Sequence, residues 1–128
     1  MKKNMNNTGI STSRVIPTEE EECIALVEFL ERSKIKYSHL AQSTYSTSWP
    51  VKMRNKRMGV KRGVPDYLII LPESAGLLFI EMKRKNRGRV SPEQKEWLKS
   101  LNMLNGVEAT VAYGADEAIA IIDQLSSI

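Results

Sequence analysis

Asp66, Glu81 and Lys83 are the residues of this chain whose types and spacing can do hydrolytic chemistry. Side chains alternate along a β-strand. In the run Leu77–Lys83 the Glu81 carboxylate and the Lys83 ammonium therefore project from one face and Met82 from the other. Asp66 heads a second apolar run, Pro65–Leu71, and the five residues between the runs, Pro72-Glu73-Ser74-Ala75-Gly76, have turn-forming composition. A hairpin turn centred between Glu73 and Ser74 pairs residues whose numbers add to 147, which sets Asp66 directly opposite Glu81. At such a position the Cβ atoms lie about 4.5–5.5 Å apart, and two like charges destabilise the pair. A hard divalent cation removes that cost, because Mg²⁺ takes one or two carboxylates together with water and a substrate phosphate. Such an ion polarises a phosphoryl oxygen and lowers the pKa of a bound water. Lys83 adds positive charge where the phosphate would lie. The geometry suits phosphodiester hydrolysis. Glu19 or Glu20, one turn before Cys23, can reach the same cluster as a further ligand or support.

The elements that must hold these residues follow from periodicity. Thr18-Glu19-Glu20-Glu21 matches a capping box. Cys23, Leu26, Val27 and Leu30 recur at helical spacing, giving an amphipathic helix over about 18–33. Ile35–Leu40 reads as a short strand. Ala41–Val64 shows no clear periodicity and is expected to be a long loop, with Tyr45 and Trp49 folded back over the domain and Val51 and Met53 unusually apolar for a loop. Ser91-Pro92-Glu93-Gln94 is a second helix start, with Ser91 as cap and Gln94 at its third position. That helix is expected to turn Trp97, Leu98, Leu101 and Leu104 inward and to stop near Asn105-Gly106. Val107–Tyr113 is a fourth strand, and Ala115–Leu125 a last helix buried through Ala118, Ile121, Ile122 and Leu125. The order α-β-β-β-α-β-α predicts one α/β domain over residues 17–128, its four-stranded sheet mixed and flanked by helices, behind a flexible tail at 1–16.

Charge narrows the partner. Of the nineteen Lys and Arg residues, eleven fall in two short windows free of acid: Lys52, Arg54, Lys56, Arg57, Lys61, Arg62, then Lys83, Arg84, Lys85, Arg87, Arg89. Clustered positive charge is the footprint of a polyanion. Charge alone fits two solvated loops equally well; beside a site suited to phosphodiester hydrolysis, Lys56, Arg57, Lys61, Arg62, Arg84, Lys85, Arg87 and Arg89 are expected to contact DNA phosphates. One cysteine, Cys23, excludes an internal disulfide and a cysteine metal site and fits a cytoplasmic setting. The single His39 excludes a multi-histidine metal site, and there is no Gly-rich phosphate loop. No apolar run is long enough to span a bilayer, so no membrane partner is expected, nor a small-molecule cofactor.

Val64-Pro65-Asp66 followed by Glu81-Met82-Lys83 resembles the PD-(D/E)XK nuclease signature, and the element order looks like that superfamily's restriction-endonuclease-like core. More narrowly, Gly63-Val64-Pro65-Asp66, the IEMKR segment and Val90-Ser91-Pro92-Glu93-Gln94-Lys95-Glu96-Trp97 resemble the virus-type replication–repair nuclease domain, VRR-NUC. The resemblance spans about residues 18–123. It implies that Asp66, Glu81, the Met82 carbonyl and Glu19 bind Mg²⁺ or Mn²⁺, that Lys83 is catalytic, and that Gln94 supports the site. The chain departs at Cys23, where family members often carry glutamine. Stand-alone members are similar to Holliday-junction resolvases, homodimers that cut branched DNA, which implies a phage-type enzyme acting in the host cell cytoplasm. Two rivals stay open: a nucleic-acid-binding protein without catalysis, and a monomer that nicks or trims flaps.

Overall fold

The computed structural model describes residues 16–40, 48–86 and 88–126; the tail to residue 15, Tyr45 and Arg87 lie outside them. Helix α1, Glu19–Arg32, begins at the predicted capping box: Glu21 N–H donates to Thr18 Oγ1 (3.1 Å) and Thr18 N–H to Glu21 Oε1 (2.9 Å). The chain leaves it through Lys34 at φ +58°, which lets Ile35 N–H reach back to Leu30 O (3.0 Å). Strand β1, Lys36–His39, follows.

The long aperiodic segment contains a helix, α2, Trp49–Arg57, which corrects the loop expected there. It has no buried residue, so it needs no apolar stripe, and its sequence shows none. Trp49 is 70% exposed rather than folded back over the domain. The signals for this helix lay at its ends. Ser48 is the N-cap and a proline sits in the first turn. Past the end, Gly59 at φ +87° lets Val60 N–H bond Asn55 O (2.9 Å) and its own N–H bond Lys56 O (3.1 Å).

Strands β2, Tyr67–Leu71, and β3, Gly76–Lys83, form the hairpin. Its observed register, Tyr67 opposite Ile80 through Leu71 opposite Gly76, is the one that centring the turn on Glu73 and Ser74 requires. Helix α3, Pro92–Asn102, carries the chain over to β4, Val107–Tyr113, which pairs parallel to β3; α4, Ala115–Ser126, ends the fold. The sheet order is β1-β2-β3-β4, with the first three strands antiparallel.

One face of the sheet carries the core. Tyr67, Ile69 and Leu71 of β2 and Leu78, Ile80 and Met82 of β3 pack with Leu26 and Leu30 of α1 and with Ala115, Ala118 and Ile122 of α4. Cys23, Val27, Ile121 and Leu125 border this core, half-buried. Helix α3 lies against β4 and buries none of its residues completely, so Trp97, Leu98 and Leu101 are half-buried rather than core. Leu104 is 57% exposed, because the helix stops at Asn102 before its stripe reaches that far. Asn102 has another task. Its side chain donates to Ala109 O and accepts from Ala109 N–H, both at 2.8 Å, so it occupies the ladder positions of a missing neighbour on edge strand β4.

The hairpin turn is strained. Glu73 (φ 55°, ψ 39°) and Ser74 (φ 63°) both take left-handed conformations, and Ala75 N–H closes the turn on Pro72 O at 3.1 Å. This is the type I′ geometry that favours Asn-Gly. Replacing the pair, Glu73→Asn with Ser74→Gly, is expected to raise the thermal midpoint by about 3–5 °C, corresponding to about 1 kcal/mol. A melt of the double variant against the parent checks this, and a lower midpoint would contradict the turn assignment.

Candidate active site

Backbone direction explains why Asp66 and Glu81 meet. Asp66 O accepts from Leu40 N–H (2.7 Å), so the Asp66 peptide points to the β1 side. One step outward from the Tyr67–Ile80 pair, Asp66 and Glu81 therefore face each other at a position without mutual backbone hydrogen bonds. There the side chains of an antiparallel pair approach most closely. Asp66 stands immediately before β2 rather than inside it. Its Oδ2 accepts from Met82 N–H (2.8 Å), which ties the acid to the end of β3. A strand residue points its N–H and its carbonyl to the same side, so the Met82 carbonyl also faces the Asp66 side.

Glu81 is 4% exposed. Burial, and then the charge of Asp66, push its pKa up to about 7, against the pull of Lys83. Asp66 is also raised, by burial first, while the Met82 N–H, His39 and Lys83 oppose the shift. The two acids thus act on each other, each buried beside the other. Lys83 Nζ lies 3.5 Å from Glu81 Oε2, and the same oxygen accepts from Gln94 Nε2 at 2.8 Å. Glu81 Oε1 is buried without a hydrogen-bond partner among the described residues.

Gln94 uses both ends of its amide. Its Oε1 accepts from Ser91 N–H (2.9 Å), completing the predicted capping box of α3, while its Nε2 holds Glu81. The capping role and the supporting role are thus filled at once. The approach of α3 to the strand ends depends on Gly63, at φ +92°: a Cβ there would stand 2.6 Å from the Glu93 carbonyl carbon. Pro65 beside it is fully buried.

A cleft of about 310 Å³ collects Glu19, Asp66, Glu81, Lys83 and Gln94, with Arg62, Gly63, Val64, Ser91 and Glu93 completing its wall. Six of the residues singled out from the sequence, these five and Arg62, thus line one cavity. Glu93 was missed, since as a first-turn acid it carries no signal beyond favouring the helix dipole. Glu19 comes to the cleft from α1, which packs on the opposite face of the sheet, and two contacts hold it there. Arg84 donates to Pro17 O (3.0 Å) and Ile16 O (3.4 Å) just ahead of the helix. Glu22, 5% exposed, accepts from Ala115 N–H (2.8 Å) at the start of α4. Of the four consecutive acids, Glu19 therefore lines the cleft, and Glu22 faces the other way.

The basic residues divide. Arg62 reaches the cleft, and Lys56 lines a neighbouring depression. Arg84 is engaged with the chain ahead of α1, and Lys85 Nζ lies 3.7 Å from Asp116 Oδ2. Arg57, Lys61 and Arg89 are exposed. His39 stacks on Tyr67 with ring centroids 4.6 Å apart, and Tyr67 is buried with Cys23 bordering the same core. Burial raises the pKa of both Tyr67 and Cys23.

Among the described residues no group of three His, Cys, Asp or Glu side chains forms a ready metal cluster. The donor set nevertheless suits a hard divalent cation with retained water. It offers two opposed carboxylates, one orphaned buried oxygen and a backbone carbonyl on the same side.

Comparison with known proteins agrees with this architecture. The family model for the VRR-NUC domain matches residues 14–116. A solved structure described as a VRR_NUC domain protein is 31% identical, with a TM-score of 0.68, over 85% of this chain and 88% of that one. No curated protein matches. No helix among the described residues is long and apolar enough to cross a membrane. The four-stranded mixed sheet, its flanking helices and the family match lead to one conclusion: this chain belongs to the VRR-NUC domain family, a nuclease-type fold.

Proposed function

We propose that this protein is a divalent-metal-dependent endonuclease that hydrolyses DNA phosphodiester bonds, selectively in branched DNA such as four-way junctions, and that it works as a homodimer. The observation that carries the reading is the face-to-face placement of Asp66 and Glu81 in a cleft, with Lys83 3.5 Å from Glu81. A binding module gains nothing from opposed acids beside phosphate, which disfavours a non-catalytic role. Asp66, Glu81, the Met82 carbonyl and Glu19 would hold Mg²⁺ or Mn²⁺. When bound, that ion would supply Lewis-acid polarisation of the phosphoryl oxygen and a more acidic water. Lys83 places its ammonium where charge grows on the phosphoryl oxygens or orients the attacking water. Gln94 keeps the Glu81 carboxylate turned into the cleft. Arg62 contributes a cation at the cleft wall. Pairing two such domains about a two-fold axis sets two active sites at fixed spacing, as symmetric cuts in opposing strands require.

Asp66→Asn, Glu81→Gln and Lys83→Ala are each expected to lower cleavage at least about 100-fold, with unchanged circular-dichroism spectra. A panel of duplex, nicked, flap and four-way DNA with Mg²⁺ or Mn²⁺ tests activity and preference together. No cleavage of any substrate by the folded wild type would overturn the reading. Light scattering at micromolar concentration tests the dimer, which a mass near the 14.5 kDa of one chain would exclude.

Stability should report the acid pair independently of activity. The Glu81 pKa is raised on folding, so the folded state binds more protons than the unfolded one between about 4.5 and about 7. The contribution of this group to stability is complete below that window and is lost as pH rises through it. Asp66, Lys83 and Glu19 act on the same carboxyl group. Metal-free protein should therefore lose roughly 1–3 kcal/mol across the window. Mg²⁺ or Mn²⁺ should restore stability at its upper end, and Glu81→Gln should remove most of both effects. Thermal melts from pH 4.5 to 8, with and without metal, make the measurement.

A further inference from the structure

A basic depression adjoins the cleft, and its walls come from a helix that contributes nothing to the core. Lys52, Asn55 and Lys56 share one face of α2 at helical spacing. The Gly59 cap then turns the chain back, seating Val60 N–H on Asn55 O and bringing Val60 and Arg62 beside that face. These five residues line a depression of about 190 Å³. Arg62 lines the active-site cleft as well, so the two cavities share a wall.

The charged residues that line the depression are of one sign. No acid occurs between Lys52 and Arg62, and Arg54, Arg57 and Lys61 add to the field. Among the described residues Lys52, Lys56 and Arg62 form no ion pair; the two pairs there are Lys83–Glu81 and Lys85–Asp116. Like charges gathered on one exposed helix repel one another, and a polyanion laid across them relieves that repulsion.

We infer that this depression is a phosphate subsite for the nucleic-acid strand engaged by the cleft. Lys52, Lys56 and Arg62 hold a second phosphate while the scissile one lies at Asp66 and Glu81. The inference rests on the endonuclease reading above and adds where the strand runs beyond the cut. The four chain steps from Arg62 to Asp66 span at most about 14 Å. A strand carries one phosphate per about 3.4 Å of rise, so the second phosphate lies within about four nucleotides of the first. Arg62, common to both cavities, bridges them.

The test uses full-length protein carrying Lys83→Ala, so that nothing is cut, and labelled oligonucleotides whose binding is followed by anisotropy over a salt series. Each phosphate contact contributes a slope of about 0.7 for single strands and about 0.9 for duplex. Adding Lys52→Gln with Lys56→Gln should reduce the slope by about 1–2 and weaken binding about tenfold or more near 0.1 M salt. The control Lys36→Gln with Lys99→Gln removes the same charge from β1 and α3 and should leave the slope in place. Oligonucleotides with and without a 5′-phosphate separate two sources of the bound group. A preference for the phosphorylated end that vanishes in the Lys52/Lys56 variant identifies a terminal phosphate. Equal binding of both, with the slope still reduced, identifies an internal one. An unchanged slope in the Lys52/Lys56 variant, or an equal loss in the control, overturns the subsite while leaving the endonuclease reading intact. Absence of any nucleic-acid binding by the Lys83→Ala parent overturns both.

Discussion

Two carboxylates held against each other organise this molecule. Asp66 and Glu81 meet where an antiparallel pair brings its side chains closest, and burial deepens their repulsion instead of screening it. Nothing in the local backbone compensates completely. The Met82 N–H takes one oxygen of Asp66, Gln94 and Lys83 take one oxygen of Glu81, and the second oxygen of Glu81 has no partner among the described residues. The surroundings are therefore a support for an unfavourable pair. A tight hairpin fixes the register, β1 binds the Asp66 peptide from one side, and β4 binds β3 from the other. Proteins tolerate local cost of this kind where the surrounding structure over-determines it.

Much of this was legible in the chain because it is local. The hairpin register follows from the position of one turn and the period-two alternation of two apolar runs. Both capping boxes appear where the sequence places them, and β4 spans the predicted residues. Helix α2 was hidden for a physical reason. The hydrophobic period is written by burial, and a helix that buries nothing does not write it. Only its punctuation, Ser48 at one end and Gly59 at the other, marks it. Leu104 fails in the opposite sense: it continues the apolar spacing of α3 past the point where the backbone has left the helix.

What the sequence does not display is division of labour among identical side chains. Four consecutive glutamates look equivalent, yet Glu21 closes a cap, Glu22 is buried against α4 and Glu19 opens on the cleft. Helical rotation of about 100° per residue separates them, but which direction faces what is decided by α4 and β3, far away in sequence. Arg84 and Lys85 pose the same problem in the second basic window: charge makes them alike, yet Arg84 donates to the chain ahead of α1 and Lys85 lies beside Asp116. Gln94 shows the converse. One amide serves helix and site together because its two ends differ chemically, the oxygen accepting and the nitrogen donating. An acid at that position could keep the cap but would set a third negative charge against Glu81.

The two contacts that bring α1 to the site join residues far apart in the chain, Arg84 to Pro17 across 67 positions and Glu22 to Ala115 across 93. Closing loops of that length carries an entropic cost that a β2–β3 hairpin, built from neighbours, does not. Order of synthesis matters as well, since Glu22 leaves the ribosome long before Ala115 exists. A nascent chain can thus bring Asp66 opposite Glu81 well before Glu19 is anchored beside them. Completion of the cleft is tied to emergence of the last helix, and a chain interrupted ahead of Ala115 would lack the residue that fixes Glu22.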